Sequence, residues 1–271
     1  MRTSAPLARP IPVWRNHNIL KLLTLARDLR RRKSRERQRL FAAEGVRAVE
    51  ELLRSALTVR GVLVAPQLAG APRGAALLSM LRTTGVELAE IPPLDFASAA
   101  ETESPQGVLA IAEIPERTLA TLPVDDRARI VVLDAVQDPG NVGTILRTAA
   151  ALGATAALSL PGTVDLWNAK VVRSAMGASF HFPVLSTTWE ELDLFRQQHG
   201  VFLWGADAAG IALDTLHPPP RLALVVGNEG AGLSPEARGR IDTLAALPIG
   251  SIVESLNVAV ATGIFLYQLR S

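Results

Sequence analysis

Three short polar stretches hold the residues of this chain best suited to chemistry. The first runs from Asp134 to Arg147 and contains Asp138-Pro-Gly, Asn141, Gly143 and Arg147. Asn141 can cap a helix, and Gly143 lets another backbone come close. Asn141 and Arg147 are less than two helical turns apart, close enough for both to face one edge of a sheet. A plain cap and a solvated arginine would also explain this stretch. The second stretch, Gly227-Asn-Glu229-Gly230-Ala-Gly232-Leu-Ser234, packs three glycines into six positions. It presents backbone donors but matches neither GxGxxG nor a P-loop. Its Glu229 is poorly placed for phosphate and better suited to a cationic or hydroxyl-bearing ligand, although a tight turn with a solvated carboxylate is an even alternative. The third stretch follows Leu247-Pro248-Ile249 and carries Gly250, Ser251, Glu254, Ser255 and Asn257. A long apolar helix comes after it, with Leu256, Val260, Ile264 and Leu269 at helical spacing. Ser255 reads as the N-cap of that helix. Capping does not account for Asn257. Leu247 and Ile249 can form an apolar wall.

All three stretches sit at the ends of apolar strands. From Arg129 the chain repeats strand and helix: strands at Ile130–Leu133, Thr155–Leu160, Val201–Ala206, Leu222–Val226 and Ala245–Ile249, with helices at Asn141–Leu152 and Trp167–Ala178. This order predicts an α/β fold with a mostly parallel sheet covered on both faces. Ligands of such sheets lie outside the carboxyl ends of the strands. Before it, residues 16–114 read as a smaller α/β module. Its expected elements are helices at Val46–Leu57 and Arg73–Thr84 and strands at Val59–Ala65, Val86–Ile91 and Gln106–Ile114. Residues 115–128 read as a linker, residues 129–271 as the second domain, and residues 1–15 as a disordered tail.

Composition excludes several classes of chemistry. The 271 residues include no cysteine, which removes disulfides, thiolate metal sites and thiol nucleophiles and fits a reducing cytoplasm. The four histidines have no metal-ligand spacing, so no metal is expected. No apolar run is long enough to span a membrane, and the basic N-terminus does not read as a signal peptide. The net charge of +2 hides an asymmetry. Residues 1–40 hold twelve Lys/Arg against two Asp/Glu, and the remainder sixteen against twenty-four. Arg30, Arg31, Arg32, Lys33, Arg35, Arg37 and Arg39 form a dense run, suited to neutralising a phosphate backbone.

Together the three stretches resemble the motifs of the SpoU/TrmH branch of the SPOUT RNA methyltransferases. Motif one corresponds to Asn141-Val-Gly143-Thr-Ile-Leu-Arg147, motif two to Leu224–Ser234, and motif three to Leu247-Pro248-Ile249 with Ser255-Leu256-Asn257-Val258. Phe41–Gly45 and Ser104-Pro105-Gln106-Gly107 are similar to parts of the family's L30e-like substrate-binding domain. The resemblance covers about residues 16–270. It implies a C-terminal SPOUT domain with a deep trefoil knot and a homodimer. It also implies S-adenosylmethionine bound at the knot, with methyl transfer to a ribose 2'-hydroxyl of RNA. Ribosomal RNA of the large subunit is favoured and tRNA is the alternative, as is an RNA-binding homologue without catalysis. Carried over, Gly227, Gly230, Leu247, Ile249 and Leu256 contact the cofactor. Asn141, Arg147, Glu229, Ser255 and Asn257 take the catalytic and substrate-side positions, and Arg30, Arg31, Arg32, Lys33, Arg35 and Arg37 are expected on RNA phosphates.

The implied chemistry constrains the roles. A sulfonium is already a good leaving group, so alignment and activation of a weak nucleophile remain. Alignment alone can supply roughly 7–11 kcal/mol. Deprotonating a guanidinium from a pKa near 12.5 at neutral pH costs about 7 kcal/mol. Arg147 is therefore expected to position and activate the hydroxyl, with Asn141 orienting it and Glu229 holding the arrangement.

Overall fold

The structure, a computed structural model, describes residues 13–270. Most of the expected tail lies outside them, and helix α1 already begins at Val13, spanning Val13–Asp28. The N-terminal unit continues with α2 (Arg32–Gln38), β1 (Leu40–Glu44), α3 (Val46–Arg54), β2 (Val59–Val64), α4 (Pro72–Leu81), β3 (Leu88–Glu90), α5 (Pro93–Ala99) and β4 (Val108–Glu113). Its four-stranded sheet has the order β1-β4-β2-β3, with β4 antiparallel to both neighbours. Strand alternation sorts the two cores. Along β4, Val108, Ala110 and Ala112 join one apolar cluster with α3 and α4, while Leu109 and Ile111 join another with α1 and α5.

The segment expected as a linker is packed rather than loose. Leu122 and Ala128 are buried, and Arg117 donates to the Phe182 carbonyl at 2.7 Å. The second unit comprises β5 (Arg129–Leu133), α6 (Pro139–Ala151), β6 (Ala156–Ser159), α7 (Ala169–Ser174), α8 (Ala178–His181), β7 (Val184–Ser186), α9 (Trp189–His199), β8 (Phe202–Ala212), β9 (Leu222–Val226), α10 (Pro235–Arg240), β10 (Thr243–Ala246) and α11 (Val258–Leu269). Six strands in the order β10-β8-β9-β5-β6-β7 are parallel throughout. Both faces are covered, which is why the strands read as unbroken apolar runs. Val131 and Leu133 face the cluster that includes residues of α6, α7 and α11, and Ile130 and Val132 face residues of α9 and α10. In register, Val226, Leu133, Ser159 and Ser186 end four adjacent strands and form one carboxyl edge.

Three differences from the sequence reading have physical causes. The helix expected over Trp167–Ala178 breaks into α7 and α8, because Met176 and Gly177 take φ of 53° and 89°. A Cβ on Gly177 would lie 2.6 Å from the Glu51 Cβ, so glycine is what lets the N-terminal unit approach there. The sheet gains β7, a three-residue strand too short for a periodic signal. Strand β8 runs on to Ala212, with a register jump: Leu244 pairs with Gly205 but Ala245 pairs with Ile211. Residues 206–210 therefore bulge out at the carboxyl edge.

The two units share a packed seam. The Phe41 ring lies 4.5 Å from that of Trp167 and 5.6 Å from that of Phe180, and all three are buried. Beside them, Arg35 is only 3% exposed. Its guanidinium meets the Asp165 carboxylate at 2.6 Å through two nitrogens and donates to the carbonyls of Leu29 and Arg30. This corrects the expectation that Arg35 contacts RNA. A buried cation with four of its five N–H groups committed to the protein holds the domains together; removing one partner of such a pair typically costs about 3–5 kcal/mol.

Candidate active site

Asp138, not Asn141, caps α6: its Oδ1 accepts from the Asn141 backbone N–H at 2.8 Å, with Pro139 at the first helical position. That leaves the Asn141 side chain free, one turn in, on the carboxyl edge of the sheet. The next correction is at α11. Its N-cap is Asn257, not Ser255: Oδ1 of Asn257 accepts from the N–H groups of Ala259 and Val260 at 2.9 and 3.3 Å. Capping consumes only the oxygen of this amide. The nitrogen donates across the sheet edge to Asn141 Oδ1 at 2.9 Å. Asn141 Nδ2 in turn donates to Glu229 at 3.1 Å. Asn257, Asn141 and Glu229 thus form a directed relay, and its two ends fix which way the Asn141 amide points.

Glu229 is the terminus of this relay. Its carboxylate also accepts from the backbone N–H groups of Gln137 and Asp138 at 3.2 and 3.0 Å. Burial by itself would raise its pKa. The hydrogen bonds from the Asn141 side chain and from the backbone outweigh that and hold it below the ordinary carboxylate value. It is therefore an anchored anion at neutral pH, which argues against a role as a proton-accepting base.

The second loop is shaped by Asn228 and the glycines around it. Asn228 Oδ1 accepts from Gly230 and Ala231, and its Nδ2 donates to the Ala135 carbonyl. A Cβ on Gly227 would sit 2.3 Å from the Gly232 backbone, so no larger residue fits. Gly230 differs. A Cβ there would meet only Asn228 Oδ1, at 3.8 Å, so no neighbour in the protein requires glycine. Gly230 is part of the lining of the cavity between the loops. The buried Asp134, at the end of β5, accepts from the Ser234 N–H at 2.7 Å and ties this loop to the central strand. Gly143 serves packing: a Cβ would lie 2.4 Å from the Ser174 Cβ, so glycine there lets α6 lie close against α7.

The three loops enclose one cavity of about 620 Å3. That volume falls in the range of about 300–1,000 Å3 usual for small-molecule sites. Nine of the ten expected catalytic and cofactor residues line it: Asn141, Gly227, Glu229, Gly230, Leu247, Ile249, Ser255, Leu256 and Asn257. Arg147 does not. Six residues along α6 from Asn141 carry it roughly 9 Å along the axis and about 240° around it, onto an exposed face where it has no ion-pair partner among the described residues. The sequence reading missed Ala206, Asp207, Ala208 and Asn228, which also line the cavity. The first three come from the β8 bulge, whose register jump leaves no trace in composition.

The cavity's chemistry is one-sided. Its lining includes the carboxylates Glu229 and Glu254, with Asp207 already paired to Arg238, and no lysine, arginine or histidine. Its walls are apolar at Val226, Leu247, Leu256 and Phe265. Such a site suits a ligand with an apolar body and a positive centre and disfavours a polyphosphate. The segment after β10 is apolar yet open to solvent, with Ile252 98% exposed. No group of His, Cys, Asp or Glu able to hold a metal occurs among the described residues, nor does a helix long and apolar enough to cross a membrane.

A parallel α/β domain with its three polar loops gathered on one carboxyl edge, joined to a smaller α/β domain, is the layout of a two-domain α/β ligand-binding protein. Comparison with known proteins makes this specific. Residues 128–267 match the SpoU rRNA Methylase family and residues 23–110 the MRM3-like substrate binding domain. The chain is 36% identical to the 23S rRNA (guanosine(2553)-2'-O)-methyltransferase of Bacillus subtilis, over 90% of this chain and 94% of that protein. It is 31% identical to a 23S rRNA (uridine(2479)-2'-O)-methyltransferase of Streptomyces viridochromogenes, over 88% and 84%. The crystal structure of the SpoU methyltransferase AviRb of S. viridochromogenes with AdoMet superposes with a TM-score of 0.83 at 28% identity, covering 92% of this chain and 96% of that one. An AdoMet-bound rRNA methyltransferase of Sinorhizobium meliloti gives 0.78 at 30% identity, covering 92% and 94%. The chain belongs to the SpoU rRNA methylase family.

Proposed function

We propose that this protein transfers a methyl group from S-adenosylmethionine to a ribose 2'-hydroxyl of large-subunit ribosomal RNA. The observation that carries this reading is the cavity itself: carboxylates without a base, closed by the Asn257–Asn141–Glu229 relay. The residues present fit the cofactor. Gly230 leaves space that a side chain would fill, Leu247, Ile249 and Leu256 offer apolar contact, and Glu229 and Glu254 complement a sulfonium and an ammonium. S-adenosylmethionine, when bound, supplies an electrophilic methyl group on a positive sulfur. The chain's part is alignment. Asn141 has one amide proton and one lone pair left after its relay contacts, enough to orient a hydroxyl. Ser255 has a free hydroxyl on the same cavity wall, with no side-chain partner among the described residues. Arg147 stabilises charge at the ribose oxygen as the O–CH3 bond would form and the S–CH3 bond break, with the hydroxyl proton passing to solvent water.

The reading includes a homodimer, which an exposed apolar stripe supports. Val260, Ile264 and Tyr267 of α11 are 40–54% exposed and form an apolar stripe. Helix α6 packs alongside, its Thr148 next to Gly263. Pairing two copies across this face covers the stripe and moves Arg147, which lies outside its own cavity, into an interface with the partner's site. The passage of residues 247–257 back from edge strand β10 to α6 at mid-sheet is consistent with the family's trefoil knot. The N-terminal unit, residues 16–114, binds the RNA, with Arg30, Arg31, Arg32, Lys33 and Arg37 toward phosphate. A cytoplasmic location is part of this reading, supported by the ribosomal RNA substrate of the relatives. Calorimetry tests the cavity: S-adenosylmethionine binds and ATP does not. Absence of heat with S-adenosylmethionine, or transfer of its methyl to tRNA in preference to 23S rRNA, refutes the reading.

A further inference from the structure

A second cleft opens on the same carboxyl edge, between the two domains, with a volume of about 420 Å3. Its floor includes the ends of β6 and β7, where the hydroxyls of Ser159 and Ser186 lie 2.9 Å apart. Four arginines and two carboxylates line it: Arg32, Arg35, Arg39 and Arg117 with Glu36 and Asp165. Both carboxylates are already taken, Glu36 by Arg32 at 2.7 Å and Asp165 by Arg35 at 2.6 Å. Arg39 and Arg117 have no carboxylate partner among the described residues. Arg117 gives one N–H to the Phe182 carbonyl and keeps the rest of its fork. Burial pulls its pKa below the ordinary arginine value, so a neighbouring anion is favoured. The cleft thus has the opposite electrostatic character to the cofactor cavity.

Arg39 stands out by its backbone as well. It closes α2 with φ 56° and ψ 38°, a left-handed conformation in which glycine is the residue without strain. An arginine there costs stability without adding an ion pair. The two cavities share one row of strand ends. Val226 of β9 borders the first and Ser186 of β7 the second, with β5 and β6 between them. Three strand spacings make roughly 14 Å, a distance a few nucleotides of one strand cover.

We propose that this interdomain cleft holds a phosphodiester of the RNA strand whose ribose is presented at the cofactor cavity, with Arg39 and Arg117 as its ligands. The proposal rests on the RNA methyltransferase reading above. It makes the two-domain seam part of substrate recognition: the Arg35–Asp165 pair and the Phe41 cluster set the width of a phosphate site.

The test is the salt dependence of binding a short labelled mixed-sequence oligoribonucleotide, read together with transfer to 23S rRNA transcript. Arg39→Gly removes the cation while relieving the left-handed backbone, so its Tm should equal or exceed wild type. The slope of log K against log salt should shrink by about 0.7 for Arg39→Gly and by about 1.4 for Arg39→Gly/Arg117→Gln. KM for the transcript should rise about tenfold in the double variant with kcat unchanged, as expected for loss of uniform binding. S-adenosylmethionine affinity should not change. Arg82→Gln, which removes an exposed cation paired with Glu90 elsewhere in the N-terminal unit, should leave the slope as it is. A double variant with wild-type slope and KM overturns the cleft assignment and leaves the methyltransferase reading intact. Slope losses as predicted in a protein that transfers no methyl to any RNA support the phosphate site and refute the reaction.

Discussion

Asn257 does two jobs with one amide, and two substitutions separate them. Its oxygen caps α11 and its nitrogen drives the relay to Asn141. Asn257→Asp keeps both cap acceptors and deletes the donor. The new carboxylate faces Asn141 Oδ1; if Asn141 turns over to meet it, its oxygen faces the Glu229 carboxylate instead. Either way one hydrogen bond to a charged or polar partner becomes a repulsion, a loss of about 1.5–3 kcal/mol. If that loss falls on orienting the reacting hydroxyl, kcat drops roughly tenfold to a hundredfold. The cap is untouched, so any fall in Tm reports the relay alone, up to roughly 3–12 °C if the whole loss weighs on the folded state. Asn257→Ala loses both functions. It should lower kcat similarly and also remove a cap worth about 1 kcal/mol, shifting Tm down by roughly 2–4 °C for a chain of this size. Single-turnover transfer reads the relay, and the difference in thermal melts between the two variants reads the cap. Asn257→Asp with wild-type kcat would show that the relay does not position the substrate, and Asn257→Ala with unchanged Tm would show that Asn257 is not the cap.

Further predictions use other contacts. Gly230→Ala should weaken S-adenosylmethionine binding with Tm unchanged, because Gly230 lines the cavity and its added methyl meets no protein atom closer than 3.8 Å. Gly227→Ala should lower Tm as well, since its Cβ collides with the Gly232 backbone; equal melts for the two variants contradict this reading. Arg147→Ala and Asn141→Ala proteins, each inactive, should regain roughly a quarter of wild-type activity when mixed and reassembled, because half the dimers then hold one complete site built from both chains. No recovery on mixing places Arg147 in its own chain's site. Glu229, with its pKa held low, contributes fully above the unfolded carboxylate value of about 4.3 and loses that contribution only as pH falls through its lower folded value. Cofactor affinity should therefore show no Glu229-dependent fall between neutral pH and about 4.3. An acid limb above that range which disappears in Glu229→Gln would show that the carboxylate is not held low.

The site was more legible in the sequence than the frame that carries it. Each polar stretch alone had a plain structural explanation and only the three in order pointed to a site; nine of the ten predicted positions line one cavity. Placement was harder. Asp138-Pro139 is a helix-start signal that outranks Asn141, and Asn257 outcompetes Ser255 as a cap because the helix begins two residues later than its apolar spacing suggests. Helix α9 had a readable capping box, Thr188 with Glu191 ahead of an apolar run. Other features had no local signal at all. The β8 bulge that brings Asp207 to the cavity depends on how β10 pairs, and the burial of Arg35 depends on Asp165, far along the chain. Within a run of seven basic residues, nothing in composition marks the one that becomes a structural ion pair.

The account's central claim is that three loops on one sheet edge align a sulfonium methyl with a ribose hydroxyl. Its most direct test is nucleoside analysis. The protein is incubated with 23S rRNA transcript and S-adenosylmethionine labelled in the methyl group, and the RNA is digested to nucleosides. The account predicts that the label appears in a 2'-O-methylated nucleoside and is lost in the Asn141→Ala variant. Label on a base, or none on the RNA from a protein that binds the cofactor, would contradict it.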